Sequence, residues 1–294
     1  MLLQPLKIRG TVLRLFPKCF ASQSFRKEIE TLSNDIEERI LQTLEPIDED
    51  KAPKEVRPLI NVINRLISYF EERSNHEQDF SANASHELRT PLAGIRLQTE
   101  IAMSTDDTEI QKQAHLKVLD AIDKNERLIE QLLILARLTA DRVELDMTQI
   151  DIKKLLAQVV SDMQVHAKEK LVNLKVEVNH NSTVIANQAS ISILLHNLIR
   201  NAINYSPEKD TVLINSISTD GYVSISVSDN GVGIKTEDRE LALKRFQKLP
   251  NHNKKGSGLG LSIVKRICDL HQAKLTLSNT TKNGGLKVKV TFKR

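Results

Sequence analysis

At 294 residues, 40% hydrophobic and 27% charged, the chain has the composition of a globular protein with room for about two domains, not of a disordered tail. Only 3% of residues are aromatic and Trp is missing, which disfavours base stacking, so no nucleic-acid partner is expected; the net charge of +4 names no acidic partner either. No apolar run reaches the roughly 18 to 20 residues that span a bilayer, and Cys19 and Cys268, far apart and without metal-ligand spacing, fit a reducing compartment, so a soluble, cytoplasmic chain is expected.

Residues 1–28 carry Lys7, Arg9, Arg14, Lys18, Arg26 and Lys27 among short apolar groups, either a membrane-surface segment or a weakly ordered end. A helical pattern from Ile29 to Leu41 is broken by EPIDEDKAPKEVRP, and a second starts at Leu59, Ile60, Ile63, Leu66, Ile67 and Phe70. Two short amphipathic helices bury little alone and are expected to pair with copies from another chain. The second pattern runs on through EERSNHEQ into Phe80, Ala84, Leu88, Leu92 and Ile95. At about 100° per residue these positions share one arc, and His86 falls about 180° from its centre, facing outward with Thr90 one turn on. Pro91 removes a backbone hydrogen bond just beyond the histidine, which predicts a bend.

After TDDTE, which offers a Thr or Asp N-cap, a long helix is expected from about Ile110 to Thr139, with Val118, Ile122, Ile129, Leu132, Leu133 and Ala136 on its apolar face. The two long helices form an antiparallel hairpin. Its seam stays wet unless a second copy completes a four-helix bundle, so a homodimer is expected. From about Asp151 the period changes. The stretches 171–178, 211–218, 222–229, 274–279 and 286–292 alternate as half-covered strands, with helices near 152–168, 188–203 and 259–271 between them. This is an α/β domain with a mainly antiparallel sheet backed by helices on one face.

Three elements of that domain carry chemistry. In NLIRNAINYSP, Asn197 and Asn201 lie one turn apart and project two amide oxygens, suited to Mg²⁺ or phosphate, although the bare spacing is weak. In DNGVGI, Asp229 at a strand end is suited to accept from an exocyclic amine, and Gly231 and Gly233 let backbone approach a flat base; alone, such a stretch is more often a turn. In KKGSGLGLSIV, glycines run into an apolar helix whose free N–H groups suit phosphates, with neither the dinucleotide nor the P-loop spacing.

In this order, with SHELRTPL upstream and Arg245-Phe246 between the glycine-rich elements, these stretches resemble the phosphoacceptor box, N box, first glycine box, F box and second glycine box of the two-component sensor histidine kinases. The match covers about residues 75 to 294, and LEPID with EVRPLINVINRL resembles the latter part of a HAMP module. The resemblance implies an α+β multidomain chain: a basic segment (1–28), HAMP-like signalling helices (29–74), a dimerisation and phosphoacceptor hairpin (75–145) forming a dimeric four-helix bundle, and an ATP-binding sandwich of the histidine-kinase, gyrase and chaperone type (146–294).

It further implies a protein-histidine kinase that takes a phosphoryl group from ATP onto His86 and passes it to an aspartate of a response regulator, with phosphatase activity toward that partner as a second task. Glu87 would accept or orient the imidazole proton, and Thr90 would position water for dephosphorylation. Asn201 would ligate Mg²⁺, with Asn197 at the phosphates, Tyr205 on the adenine and Asp229 at its amino group. Gly231, Gly233, Gly256, Gly258, Leu259 and Gly260 would shape the pocket and the hinges of a lid over 235–255; Phe246 either anchors that lid or is a local packing plug, and Lys254 and Lys255 either neutralise phosphate charge or form a solvated run. The family's membrane link has no transmembrane counterpart in this sequence. Two departures stand out: His271-Gln-Ala-Lys replaces the usual Gly-Gly, and no acidic residue directly precedes Arg245-Phe246. A gyrase-type ATPase or a serine-directed kinase would have no use for SHELRTP on a dimeric hairpin, and a non-catalytic regulator-binding module would not need every catalytic position filled.

Overall fold

The computed structural model describes residues 46–48, 56–139, 145–178, 182–249, 256–280 and 284–293. The basic segment 1–28, the helical pattern over 29–41, Cys19, Lys254 and Lys255 lie outside the described residues. Two compact units emerge, Met1–Ala82 and Asn83–Arg294.

EERSNHEQ contains neither Gly nor Pro, so nothing ends the helix that starts at Arg57. The expected short helix is therefore the first part of one 47-residue helix, α1 (Arg57–Met103), which also carries His86. Pro91 lies within it, and the helical assignment continues through the proline. In the first unit the Pro46–Asp48 segment is held against α1 by one side chain. Asn64 Oδ1 accepts from the Ile47 amide (2.8 Å) and Asn64 Nδ2 donates to the Ile47 carbonyl (2.9 Å). Ile47, Ile60 and Ile67 form a small core beneath, edged by Val56 and Ile63.

In the second unit a short turn joins α1 to α2 (Thr108–Thr139). Asp107 is the residue of TDDTE that caps it, its Oδ1 accepting from the amides of Glu109 (2.9 Å) and Ile110 (3.2 Å). Gln111 ties the turn down by donating to the Thr105 carbonyl at 2.7 Å. Along α2 the buried residues are Ala114, Leu128, Leu135 and Leu138. Ile122, Ile129 and Leu133, placed by periodicity on the apolar face, are 38%, 43% and 54% exposed. The helix has apolar residues on two flanks, and periodicity alone does not say which one its own chain covers.

The α/β part contains a five-stranded sheet and a separate strand pair. All five expected strands form: β2 (Asn173–Val178), β4 (Thr211–Ser218), β5 (Tyr222–Ser228), β6 (Lys274–Asn279) and β7 (Leu286–Lys293), in the order β2-β4-β5-β7-β6. β2 and β4 run parallel and the other pairs antiparallel. The pair that sequence patterning misses is β1 (Thr148–Asp151) with β3 (Thr183–Ala186); four residues are too few for alternation to register. Helices α3 (Ile152–Glu169), α4 (Gln188–Tyr205) and α6 (Gly260–Leu270) back the sheet, and a short 3₁₀ turn (Thr236–Asp238) leads into α5 (Arg239–Ala242) within the expected lid. The core between sheet and helices is aliphatic, with Ile152, Leu156, Ile191, Leu194, Leu198, Ile214 and Ile225 almost wholly buried. Burying each such side chain stabilises the fold by about 1.5–3 kcal/mol.

The turn where the family has Gly-Gly survives without glycine. Gln272 takes a left-handed φ of 51°, and His271 braces it, with Nδ1 set to donate to the Ile267 carbonyl (2.8 Å) and Nε2 to accept from the Asn187 amide at the start of α4 (3.1 Å). Among the described residues no helix is long and apolar enough to cross a membrane.

Candidate functional site

His86 is exposed on α1, as the helix geometry requires. One turn on, Thr90 Oγ1 donates to the His86 carbonyl at 3.2 Å, which fixes its hydroxyl on the same side of the rod. Pro91 has no N–H to offer the Glu87 carbonyl, so the backbone is weakened beside the histidine. The Glu87 carboxylate is engaged from far along the chain: Lys248 Nζ donates to both of its oxygens at 2.8 Å. These side chains are 27% and 34% exposed. Sequence patterning passes over Lys248, one cation among several in a Lys-rich stretch; only its place two residues beyond Phe246 marks it.

The second group of expected site residues begins on α4, whose Asn187 caps its own helix by accepting from the Ser190 amide at 2.9 Å. Three turns later come Asn197 and Asn201. Asn197 is buried and spends one amide proton on the Ile193 carbonyl (2.9 Å), which orients its oxygen. A Cβ placed on Gly260 would lie 3.1 Å from Asn201 Nδ2 and 3.3 Å from both Asn197 Oδ1 and Asn201 Oδ1. The first residue of α6 thus sits directly over both amides, and a side chain there would push on them. Leu259, fully buried, anchors that helix start, with its carbonyl accepting from the Ile263 amide and from Ser262 Oγ.

Asp229 follows β5 and is buried, its Oδ1 accepting from the amides of Gly231 (2.9 Å) and Leu286 (3.1 Å). Its neighbour Asn230 donates to Asp210 Oδ1 at 2.8 Å. A Cβ on Gly231 would stand 2.4 Å from the Tyr205 carbonyl, so the loop presses on the end of α4 and brings Tyr205 beside Asp229. Burial pushes the Tyr205 phenol pKa up. Gly233 (φ +66°) meets the Gly284 carbonyl, and a Cβ on Gly285 would lie 2.0 Å from the Asp229 carbonyl. Gly284 and Gly285 therefore allow the strand turn to close directly on the Asp229–Gly233 loop. In sequence they read only as the turn between two strands.

The segment expected as a lid starts at Lys235. Phe246, half-buried, adopts φ 60°, and the Phe246–Gln247 backbone packs on Gly258 (φ +73°), where a Cβ would lie 2.6 Å from the Phe246 carbonyl carbon. Gly256 has φ +123° and open space around it. Burial, and then the nearby Arg266, lowers the Arg245 pKa.

Three further contacts join the α2 hairpin helix to the α/β part. Ser257 Oγ donates to Gln131 Oε1 (2.6 Å), Gln131 Nε2 donates to Asn197 Oδ1 (3.4 Å), and Arg266 Nε donates to the Leu138 carbonyl (2.8 Å). Local patterning singles out neither Gln131 nor Ser257, because their partners lie far away in sequence.

Residues 76–141 match the family described as the His Kinase A (phospho-acceptor) domain, and residues 186–294 the family described as Histidine kinase-, DNA gyrase B-, and HSP90-like ATPase. The chain is 35% identical over 250 residues to the sensor protein QseC of Escherichia coli K12, covering 84% of this chain and 54% of that one. It is 30% identical over 259 residues to the sensor protein kinase PmrB of Pseudomonas aeruginosa, covering 87% and 54%. The chain spans about half the length of the curated relatives it matches. Histidine kinase ThkA, solved in complex with response regulator protein TrrA, shares the fold with a TM-score of 0.62 at 24% identity, over 77% of this chain and 66% of that one. A phosphoacceptor hairpin followed by an ATPase-type domain, with this likeness to sensor kinases running through both, means that the chain belongs to the two-component sensor histidine kinases.

Proposed function

We propose that this chain phosphorylates itself on His86 with the γ-phosphoryl group of ATP and passes that group to an aspartate of a response regulator in the cytoplasm. The observation that supports this most is the Lys248–Glu87 contact, which brings the nucleotide lid to the residue beside an exposed histidine. In the reaction an imidazole nitrogen attacks the γ-phosphorus, the bond to the bridging oxygen breaks and ADP leaves. The proton lost by the phosphorylated ring passes to the Glu87 carboxylate, which first has to be released by Lys248. Exposure of His86 lets both the ATP domain and the regulator reach it. The hydroxyl of Thr90, held on the same side, would orient water against the regulator's phosphoaspartate in the reverse task.

On the nucleotide, Asp229 would accept from the adenine amine, Tyr205 would cover the ring, and the N-terminus of α6 with Gly256, Gly258, Leu259 and Gly260 would receive the phosphates. Phe246 would anchor the lid; Lys254 and Lys255 would meet phosphate charge. The amide oxygens beneath Gly260 suit a hard cation already carrying phosphate ligands, with Asn201 as the protein's own ligand and Asn197 beside it. Mg²⁺ held there would neutralise charge developing on the phosphates. The exposed flank of α2 is suited to a second copy, giving a dimeric four-helix bundle, and Asn64 clasping Ile47 suits a HAMP-like input module over 29–74.

Incubation with γ-labelled ATP and Mg²⁺ is expected to leave acid-labile, base-stable label on the chain. His86→Gln should abolish it, and undiminished labelling would end this reading. Asn201→Ala should lose label while the dimer persists.

A further inference from the structure

Gln131 occupies an unusual place on α2. It lies three residues after Leu128 and four before Leu135, in the stripe that the chain buries. Packing alone favours another leucine there, because a polar amide in such a stripe is costly unless its hydrogen bonds are made. Both ends of this one are engaged. Its oxygen accepts from Ser257 Oγ at 2.6 Å and its nitrogen donates to Asn197 Oδ1 at 3.4 Å. The Ser257 hydroxyl in turn accepts from the Leu259 amide at 3.2 Å, so the hold reaches the residue just before α6. Gly260 lies against the Asn197 and Asn201 amides, so the Ser257–Gly260 turn faces the asparagine pair proposed to meet the phosphates.

We infer that Gln131 is a positioning residue of the nucleotide site, setting the spacing of its phosphate end from the hairpin. The inference rests on reading that pocket as a nucleotide site. With Gln131 in place, the glycine-rich turn is ordered before ligand arrives, so binding costs less conformational entropy. By linkage, a nucleotide that orders the turn also favours seating of the α/β part on α2. Nucleotide and hairpin thereby sense each other through a residue that touches no substrate.

The test is titration of the whole chain with trinitrophenyl-ATP and Mg²⁺, read by fluorescence, alongside labelling rate against ATP concentration. Gln131→Met keeps the volume and deletes both hydrogen bonds. It is expected to weaken binding about three- to tenfold, the range for losing one or two neutral hydrogen bonds. It should raise the ATP concentration for half-maximal labelling while leaving the maximal rate unchanged. The number of sites at saturation should stay that of the parent; misfolding would reduce it, and a purely structural role would lower the maximal rate. In a Ser257→Ala background, Gln131→Met should add little. Unchanged affinity, or the same weakening in that background, overturns the inference while leaving the kinase reading intact. A parent chain that binds no analogue overturns the nucleotide reading and the inference with it.

Discussion

Asp229 holds two backbone amides and is proposed to read the adenine amine, and conservative substitution separates the two. Its Oδ1 terminates two backbone amides, those of Gly231 and Leu286, at 2.9 and 3.1 Å. Its other oxygen is the one proposed to meet the adenine amine. Asp229→Ala strands both amides, one buried and one partly buried; hydrogen bonds to a carboxylate contribute about 1.5–3 kcal/mol each, so about 3–6 kcal/mol of stability should go. Asp229→Asn keeps an acceptor, since two facing N–H donors select the amide oxygen for that side. It forfeits only the charge assistance, about 1 kcal/mol. The amide nitrogen then replaces the second oxygen and presents a donor to a donor, which should weaken ATP binding about 10- to 100-fold. Urea unfolding and trinitrophenyl-ATP titration of both variants test this. The Asn variant should unfold close to the parent and bind poorly; the Ala variant should fail in both. An Asn variant as unstable as the Ala variant refutes the account of Oδ1, and one that binds like the parent refutes the account of base reading.

The two glycines ahead of α6 should respond differently. Gly258→Ala forces a side chain into φ +73° and against the Phe246–Gln247 backbone, costing about 2 kcal/mol in unfolding measurements. Gly260→Ala meets only the Asn197 and Asn201 amides, so it should leave stability near the parent's but raise the ATP concentration for half-maximal labelling. Ile129→Glu with Leu133→Glu places charge on the exposed flank of α2 and should shift the chain from dimer to monomer in light scattering; an unshifted mass would remove that face from the interface. Cys268 is buried and its thiol is pushed up to about 12, chiefly by burial. In a Cys19→Ser chain it should resist iodoacetamide at pH 8 until urea unfolds the protein. The unfolded thiol, with its ordinary value of 9.0, gives up its proton first, so this group's contribution to stability is present below pH 9 and declines as the pH rises toward about 12.

What the sequence made legible was whatever repeats locally. Five strands and three helices of the α/β part announced themselves by period, and His86 was placed outward by counting residues along a helix. β1 and β3 escaped because four residues carry no period. The covered flank of α2 escaped because Leu128, Leu135 and Leu138 compete with Ile122, Ile129 and Leu133 for the same helix. Asn197, Asn201, Asp229 and the glycines were visible as motifs, yet their spacing in three dimensions was not. Gly260 over the two asparagines and Gly285 against Asp229 are close approaches between segments far apart in the chain.

The contacts least visible in sequence bear on how the reaction is timed. Lys248 is 161 residues from Glu87 and Ser257 is 126 from Gln131, so no local pattern encodes either pair. They differ in strength. The Lys248–Glu87 pair is about one-third exposed, so it stabilises the closed contact by no more than about 1 kcal/mol, a factor of about five in population. In the proposed transfer, freeing Glu87 to take the imidazole proton would therefore slow the reaction by at most that factor; the pair would trim the rate without blocking it. ATP phosphates arriving at the lid offer Lys248 a stronger anionic partner than one carboxylate. The nucleotide would then release the base that its own transfer requires, and Lys248→Gln should speed labelling at saturating ATP by no more than that factor of about five.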